Sequence, residues 1–259
     1  MALLAFAVFV AFAYGKDPAP AGQVNLPSTP VTASGGGTPA LRSQAALADS
    51  APHALSAGTL WRWAAIDRPT VARATPSPGG RVVARLKTMT PEGTTNAVLL
   101  LQRVVKGGRI WVQARLPILP NNSLGWIPRE DVGFYNSVST HLTIDETALT
   151  ATLTKGTKVV FRAPIGVGKP GTPTPKGEFY IRNELTKYSS PFYGPVASCT
   201  SARSAVLTDS PAGGFVGIHG TNAPELVPGR ISHGCIRMHN ADILRLAKLM
   251  KPGTPLTIR

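Results

Sequence analysis

The sequence predicts a mostly β protein with a single short helix near its C-terminus. Two observations support this fold class. From residue 59 onward, strand-length segments of apolar and polar residues are separated by glycine and proline turns. A good helical period of apolar residues appears once in this part of the chain, after Asn240. We therefore expect a small β-barrel over residues 59–136 and a second β domain over residues 137–259.

The first 58 residues differ from the rest of the chain. Residues 1–15, MALLAFAVFVAFAYG, are apolar and uncharged, and this run is about five residues short of the roughly 20 that span a membrane. Residues 16–58 are rich in proline, alanine, glycine and serine, a composition that buries too little apolar surface to fold. The two segments predict an export or anchor segment, either cleaved or membrane-associated, followed by a disordered tether.

Residues 59–136 consist of short β-rich pieces. The turn SPGG at 77–80 and the pair Gly107-Gly108 are hairpin signals between apolar runs. The pieces RIWVQAR and LGWIPREDV resemble the late strands of bacterial SH3-like domains. That resemblance implies an SH3-like barrel, which is either a structural module or a module that binds the cell wall.

Residues 137–259 also predict mostly strands, with alternating segments on both sides of the turn at Lys155-Gly156. The helix near the end has Asn240 as its predicted N-cap. Its apolar face contains Ile243, Leu246, Ala247 and Met250.

The charge of the chain suits a polyanionic partner. Lys and Arg number 27 against 13 Asp and Glu, so the formal net charge is +14. The excess is shared by the two predicted β domains and is absent from residues 1–58. A nucleic acid, an anionic membrane or an anionic cell-wall polymer would all fit this charge. We predict no nucleic-acid partner, because no arginine-rich run or basic stripe with interleaved aromatic residues occurs.

The stretch GIHGTNAPELVPGRISHGCIRMHN, residues 217–240, holds three of the five histidines and one of the two cysteines. It allows three interpretations: a zinc site, a buried structural cluster, or a cysteine nucleophile with its base. Zinc is disfavoured because the spacing His-x-Cys-x-x-x-His is not a usual ligand pair and no second cysteine lies close by. A structural cluster is disfavoured because glycine and serine, not packing residues, surround Cys235.

Chemistry favours the nucleophile. A catalytic thiolate is stabilised by a neighbouring imidazole or cation, for which His219, His233 and Arg237 are candidates. A Ser-His-Gly-Cys turn can also present the N–H groups of Gly234 and Cys235 to a developing oxyanion. We expect two free thiols in this chain, because a disulfide with Cys199 would silence the nucleophile.

At these residues the sequence closely resembles the signature of the L,D-transpeptidase catalytic domain, also called the YkuD domain. The matching parts are HG at 219–220 and, after 11 residues, SHGCIRM at 232–238. GVGKPGTPTPKGEFYI at 166–181 and PFYGPVA at 191–197 resemble two further family segments. The resemblance spans residues 138–259 and implies that the second β domain is a β-sandwich of this family.

The resemblance implies a role for each residue of the signature. Cys235 is the nucleophile, and His219 is the base that deprotonates it and lowers its apparent pKa. The Gly220 carbonyl is implied to orient the imidazole, and Ser232 to support the site. His233 is implied to shape the pocket, and Gly234 to permit the turn. Arg237 is implied to bind a substrate carboxylate, at a position where part of the family carries asparagine. His239 is expected to make local hydrogen bonds before the helix.

The resemblance also implies a reaction. Cys235 attacks the carbonyl of the third residue of a tetrapeptide stem, expels D-alanine and forms a thioester. The amine of a diamino acid on a neighbouring stem then gives a 3→3 cross-link in peptidoglycan. No metal or organic cofactor is needed, and carbapenem β-lactams are expected to acylate the cysteine.

We accordingly expect an extracytoplasmic enzyme of the bacterial cell envelope, active in peptidoglycan biosynthesis and cell-wall organisation. Two alternatives remain open. One is an L,D-carboxypeptidase on the same scaffold, in which water replaces the acceptor amine. The other is a non-catalytic wall-binding protein, which an intact Cys235 and His219 disfavour.

Overall fold

The computed structural model of the chain describes residues 47–186, 190–207 and 213–259. Within these ranges the protein consists of two β-sheets and one α-helix, α1 (Asn240–Leu249), so the mostly β fold with one short C-terminal helix is confirmed. None of the helical segments in these ranges reaches the length and apolar character that a membrane crossing requires. The predicted export segment 1–15 and most of the predicted tether lie outside the described residues.

The first sheet contains eight strands within the described residues, in the order β4-β3-β7-β6-β5-β2-β8, with β1 paired to β5. The strands are β1 His53–Ala54, β2 Trp61–Ala65, β3 Thr70–Arg73, β4 Val82–Leu86, β5 Ala97–Lys106, β6 Arg109–Arg115, β7 Leu124–Pro128 and β8 Asn136–Val138. Both predicted hairpins form, since β3 pairs antiparallel with β4 and β5 with β6. Gly107 and Gly108 both have positive φ, 58° and 70°, as a tight two-residue hairpin turn requires. The SH3-like character of this sheet stays a prediction.

The prediction of a disordered tether up to residue 58 is wrong for residues 47–58. This segment runs beside β5: His53 is paired with Arg103, and the Ser50 N–H donates to the Val105 carbonyl at 3.0 Å. Asp49 forms an ion pair with Lys106 at 2.7 Å. The backbone groups of β5 order this segment despite its polar composition, because pairing with a strand edge does not need an apolar side-chain face.

The second sheet contains ten strands within the described residues, in the order β11-β10-β9-β18-β13-β14-β15-β17-β12-β16. The strands are β9 Thr140–Asp145, β10 Thr150–Lys155, β11 Lys158–Pro164, β12 Gly166–Gly168, β13 Gly177–Leu185, β14 Ala197–Arg203, β15 Phe215–His219, β16 Gly229–Ser232, β17 Ile236–Arg237 and β18 Pro255–Ile258. The predicted alternation is visible in β9, where Leu142 and Ile144 are fully buried between half-exposed neighbours. The C-terminal strand β18 enters the sheet beside β9 in a parallel pair.

Helix α1 packs its apolar face on the core of the second sheet, as predicted. Ile243 and Leu246 are fully buried in the same cluster as the sheet residues. The predicted N-cap is wrong by one residue, because His239 occupies that position and makes no side-chain cap. The Asn240 side chain is used elsewhere: its Oδ1 accepts the Thr221 N–H at 2.9 Å. This bond connects the start of the helix to the segment that follows β15.

Strand β13 also contacts the first sheet. The Tyr180 hydroxyl, fully buried, donates to the Ala97 carbonyl at 3.1 Å. The Glu178 N–H donates to Asn122 Oδ1 at 2.7 Å. These bonds attach the first sheet to a strand that lies two positions from β15 in the second sheet.

Candidate active site

One face of β15 forms the floor of a cavity of about 410 Å³. Phe215, Gly217 and His219 share this face, because side chains two residues apart in a strand point the same way. Gly217 leaves the middle of the floor open. A Cβ there would lie 3.8 Å from His219 Cδ2 and 3.9 Å from Cys235 Sγ, so both groups border the same small space.

The sequence-predicted site residues meet at this cavity. Five of them line it: His219, Ser232, His233, Cys235 and Arg237. Gly220 and Gly234 act through their backbones, as described below. His239 is not among the lining residues, and its Nε2 lies 3.1 Å from the Pro224 carbonyl, which is the local hydrogen bonding expected of it.

Cys235 lies between β16 and β17, in a turn that brings its sulfur over Gly217. The Gly217 N–H donates to Cys235 Sγ at 3.4 Å. The preceding residue, Gly234, has φ of 111°, in a region that side chains with a Cβ rarely occupy. The glycine therefore allows the turn that positions the thiol.

Two hydroxyl groups hold this turn. Ser232 Oγ donates to the Cys235 carbonyl at 2.5 Å and accepts the Gly234 N–H at 3.0 Å. Thr174 Oγ1 donates to the Gly234 carbonyl and accepts the Gly168 N–H, both at 2.9 Å. The expectation that Gly234 offers its N–H to an oxyanion is wrong for this structure, because Ser232 already accepts that hydrogen bond.

His219 is buried, with 1% of its surface exposed. Its Nδ1 lies 2.6 Å from the Gly220 carbonyl, and since a carbonyl only accepts, Nδ1 carries the proton. Nε2 is buried and has no hydrogen-bond partner among the described residues, so its lone pair is available. The Gly220 backbone also lies close to the Asn240 side chain: a Cβ on Gly220 would lie 2.2 Å from Asn240 Oδ1.

Aromatic side chains enclose the imidazole. The Tyr193 ring meets the His219 ring edge-on at 4.9 Å between centroids, and the Phe192 ring lies at 6.1 Å. The Arg237 guanidinium stacks over the Phe192 ring at 4.4 Å. Arg237 is itself 8% exposed and its Nε has no partner among the described residues.

Burial keeps the His219 imidazole and the Cys235 thiol neutral. It lowers the pKa of His219 to about 4, an effect that the Gly220 hydrogen bond opposes and the Arg237 charge reinforces. It also raises the pKa of the Cys235 thiol, against the smaller opposing effects of the Gly217 N–H and the Arg237 charge. The pKa of the thiol is therefore above its ordinary value, because loss of hydration outweighs the neighbouring charge and dipole. That His219 lowers the apparent pKa of the thiol stays a prediction.

Sequence reasoning assigned no role to Thr174, Phe192 or Tyr193. The signal was present, because the segments GVGKPGTPTPKGEFYI and PFYGPVA contain these residues and resemble two segments of the family. Their functions could not be assigned from the sequence alone, because each residue acts through contact with a residue at least 26 positions away in the chain.

Cys199 also lines the cavity and is a free thiol, as is Cys235. Burial, with the nearby Glu92 carboxylate, raises the pKa of Cys199 to about 12. Cys199 pairs across the strands with Gly217, and Cys235 lies beyond Gly217 on the other side. Two strand spacings separate the cysteine Cα atoms by roughly 9–10 Å, which is more than the ~7 Å that a disulfide spans.

Metal ligands do not cluster in the cavity. In residues 47–186, 190–207 and 213–259, no three or more His, Cys, Asp and Glu side chains are grouped so that they could hold a metal ion. Of the histidines near Cys235, His219 and His233 line the cavity and His239 lies beside Pro224.

A comparison with known families finds a match in the second β domain. Residues 139–258 match the family model of YkuD, the L,D-transpeptidase catalytic domain. The resemblance seen in the sequence is thus supported by a family model over residues 139–258, which are less than half of the chain.

Individual relatives and solved structures are similar to this part of the chain. The YkuD protein of Bacillus subtilis (strain 168), provisionally named an L,D-transpeptidase, is 38% identical over 118 residues, which are 46% of this chain and 65% of that protein. The chain thus spans less than two thirds of this relative. The solved catalytic domain of Enterococcus faecium L,D-transpeptidase is 27% identical, with a TM-score of 0.36 over 46% of this chain and 96% of that one. An L,D-transpeptidase solved in complex with imipenem is 17% identical, with a TM-score of 0.40 over 58% of this chain and 90% of that one.

Proposed function

We propose that this protein is a cysteine-dependent L,D-transpeptidase that forms 3→3 cross-links between peptidoglycan stem peptides. One observation carries the proposal. The Cys235 thiol and the ring of a neutral His219 border the same space above Gly217, inside one cavity, and Nε2 of that ring has no hydrogen-bond partner among the described residues. A nucleophile beside an available base is the arrangement that acyl transfer through a covalent intermediate needs.

The first half of the reaction is acylation. His219 Nε2 takes the proton of the Cys235 thiol as the sulfur bonds to the carbonyl carbon of the third stem residue. The bond from that carbon to the D-alanine nitrogen then breaks, and the imidazolium returns the proton to the leaving amine. The Gly220 carbonyl keeps Nδ1 protonated throughout and so stabilises the imidazolium.

The second half releases the thioester. The amine of a diamino acid on another stem attacks the acyl carbon while His219 accepts a proton from that amine. The bond from that carbon to the Cys235 sulfur then breaks, and the imidazolium returns the proton to the sulfur, which regenerates the thiol. Because Ser232 accepts the Gly234 N–H, we assign oxyanion stabilisation to the Cys235 N–H and not to Gly234.

Arg237 is proposed to bind a carboxylate of the donor stem. Its guanidinium lies on the cavity wall, and the Phe192 ring holds it in place by a cation–π contact. Planar donors on a guanidinium suit a bidentate carboxylate. The +14 charge of the chain favours a polyanionic wall as its surroundings, and we propose that the enzyme acts outside the cytoplasm.

Acylation by a carbapenem tests the nucleophile. Intact-mass measurement should show one adduct on the wild-type protein and none on Cys235→Ala. Cys199→Ala is the matched control, since it removes the other thiol of the same cavity, and should be acylated as the wild type is. An adduct that survives in Cys235→Ala, or that maps to Cys199, would contradict the assignment.

Incubation with purified tetrapeptide stems tests the reaction. A transpeptidase releases D-alanine and produces the dimer mass in equal amounts. D-alanine release accompanied by tripeptide alone would favour the L,D-carboxypeptidase. Absence of both products from a protein that a carbapenem does acylate would show that the stem is not its donor.

A further inference from the structure

A glutamate from the first sheet lines the catalytic cavity of the second. Glu92 lies in the turn that joins β4 to β5, and it borders the same cavity as Cys235 and His219. Glu92 is the one carboxylate among the described residues that line this cavity. Nothing in the family signature at 219–238 involves it, because it lies outside the matched residues 139–258.

The turn that carries Glu92 is firmly built. The Thr90 N–H donates to the Thr94 carbonyl at 2.8 Å, and the two threonine hydroxyls bond to each other at 2.8 Å. Asn183 Nδ2 on β13 donates to the Thr94 hydroxyl. Gly93, the residue after Glu92, has φ of 75° and so supports the tight turn. The carboxylate is therefore presented by a scaffold and does not depend on a free loop.

Arg182 fixes one side of the carboxylate. Its Nη2 lies 3.2 Å from Glu92 Oε2, and the two side chains are 2% and 11% exposed. The Arg182 guanidinium stacks over the Phe215 ring at 3.9 Å. The other carboxylate oxygen, Oε1, has no hydrogen-bond partner among the described residues. An ionised carboxylate only accepts hydrogen bonds, so Oε1 is complementary to a donor.

The position of the carboxylate relative to the thiol follows from β15. Phe215, beneath Arg182, and Gly217, beneath Cys235, are two residues apart on the same face of that strand, so about 7 Å separates them. A side chain of four methylenes ending in an ammonium spans a comparable distance. The lining of the cavity is largely apolar and includes Leu185, which suits a methylene chain.

We propose that Glu92 is a specificity-determining residue, which binds the side-chain ammonium of the diamino acid at the third position of the acyl donor. The inference rests on the proposed function, because it takes the donor carbonyl to lie at Cys235. The first sheet then contributes a binding group to the catalytic cavity. The cavity lining thus holds both the Arg237 guanidinium for a carboxylate and the Glu92 carboxylate for an ammonium.

Paired donors test the proposal in the full chain. One tetrapeptide carries lysine at the third position and the other carries norleucine, which has the same four-carbon side chain without the ammonium. Release of D-alanine gives kcat/KM for each. The wild-type protein should prefer the lysine donor by about 10- to 100-fold, the range of a hydrogen bond to a charged group. Glu92→Gln should lose this preference while it keeps its rate on the norleucine donor.

Two further variants serve as controls for the Glu92→Gln result. Glu130→Gln changes an exposed glutamate of the first sheet that pairs with Arg109, and it should retain the lysine preference. The double variant Glu92→Gln/Arg182→Gln avoids an unpaired buried arginine if the single variant unfolds, and it should also lose the preference.

The outcomes separate the inference from the proposed function. An equal loss on both donors in folded Glu92→Gln, or no lysine preference in the wild type, would overturn the role of Glu92 and leave the transpeptidase assignment intact. Failure of the wild-type protein to be acylated by a carbapenem at Cys235 would instead overturn the proposed function.

Discussion

Replacing His219 with alanine probes the neutral thiol–imidazole pair. Burial raises the pKa of Cys235 above its ordinary value, so less than a few per cent of the thiol is ionised at pH 7. The base is then needed at every turnover. We expect His219→Ala to lose roughly 100- to 10,000-fold in acylation rate at pH 7, the usual range for a general base.

The pH dependence of acylation is the decisive measurement. Because the pKa of His219 is about 4, the wild-type rate should fall only below about pH 5 and should be level between pH 5 and 8. In His219→Ala the rate should instead rise about tenfold per pH unit until the thiol ionises, above pH 8.5. Stopped-flow acylation by a carbapenem from pH 4 to 10 records both profiles.

The control is His239→Ala, which removes a histidine that lies outside the cavity and should keep the wild-type profile. His219→Gln, closer in size, guards against a folding defect in the alanine variant, and a thermal melt of each variant reports the fold. A wild-type inflection between pH 6 and 8 would refute the neutral pair and indicate a thiolate–imidazolium pair. A level profile for His219→Ala would show that another group is the base.

The remaining predictions concern the support of the site. Thr174→Val should leave the Gly168 N–H and the Gly234 carbonyl unsatisfied at about 1–3 kcal/mol each, which lowers the melting temperature and slows acylation, whereas Thr174→Ser should retain both properties. Arg237→Gln should move the acidic inflection of the acylation profile to higher pH, because the Arg237 charge contributes to lowering the pKa of His219. Stability should also depend on pH: the folded-state pKa of His219 is below the unfolded value of about 6.5, so the unfolded chain binds more protons between pH 6.5 and 4. The free energy of unfolding should fall over that window by up to roughly 3 kcal/mol, and urea denaturation should show a weaker fall in His219→Gln. Acylation should also continue in a strong chelator, because the proposed catalysis by the thiol needs no metal. A loss of acylation in chelator that zinc restores would contradict this.

Local patterns of apolar and polar residues were enough to predict the strands and the helix. Alternation along β9 depends on which residues face the core, and neighbouring residues in one strand carry that information. The buried face of α1 follows from a 3.6-residue period in the same way. The N-cap was misassigned because the Asn240 side chain bonds to Thr221, a residue 19 positions away, and local preference for capping cannot anticipate that competition.

The sequence by itself determined the candidate nucleophile and base, because Cys235 and His219 are reactive side-chain types in a short, specific spacing. Only the tertiary structure decided the pKa values of these two groups and which imidazole nitrogen carries the proton. The pKa values depend on burial by Phe192, Tyr193 and the surrounding strands, and the available Nε2 depends on which carbonyl meets Nδ1. The place of Glu92 in the cavity likewise depends on two sheets meeting along β13. Such contacts join residues far apart in the chain, and their energies arise from desolvation and charge in a shared space that no local pattern of residues describes.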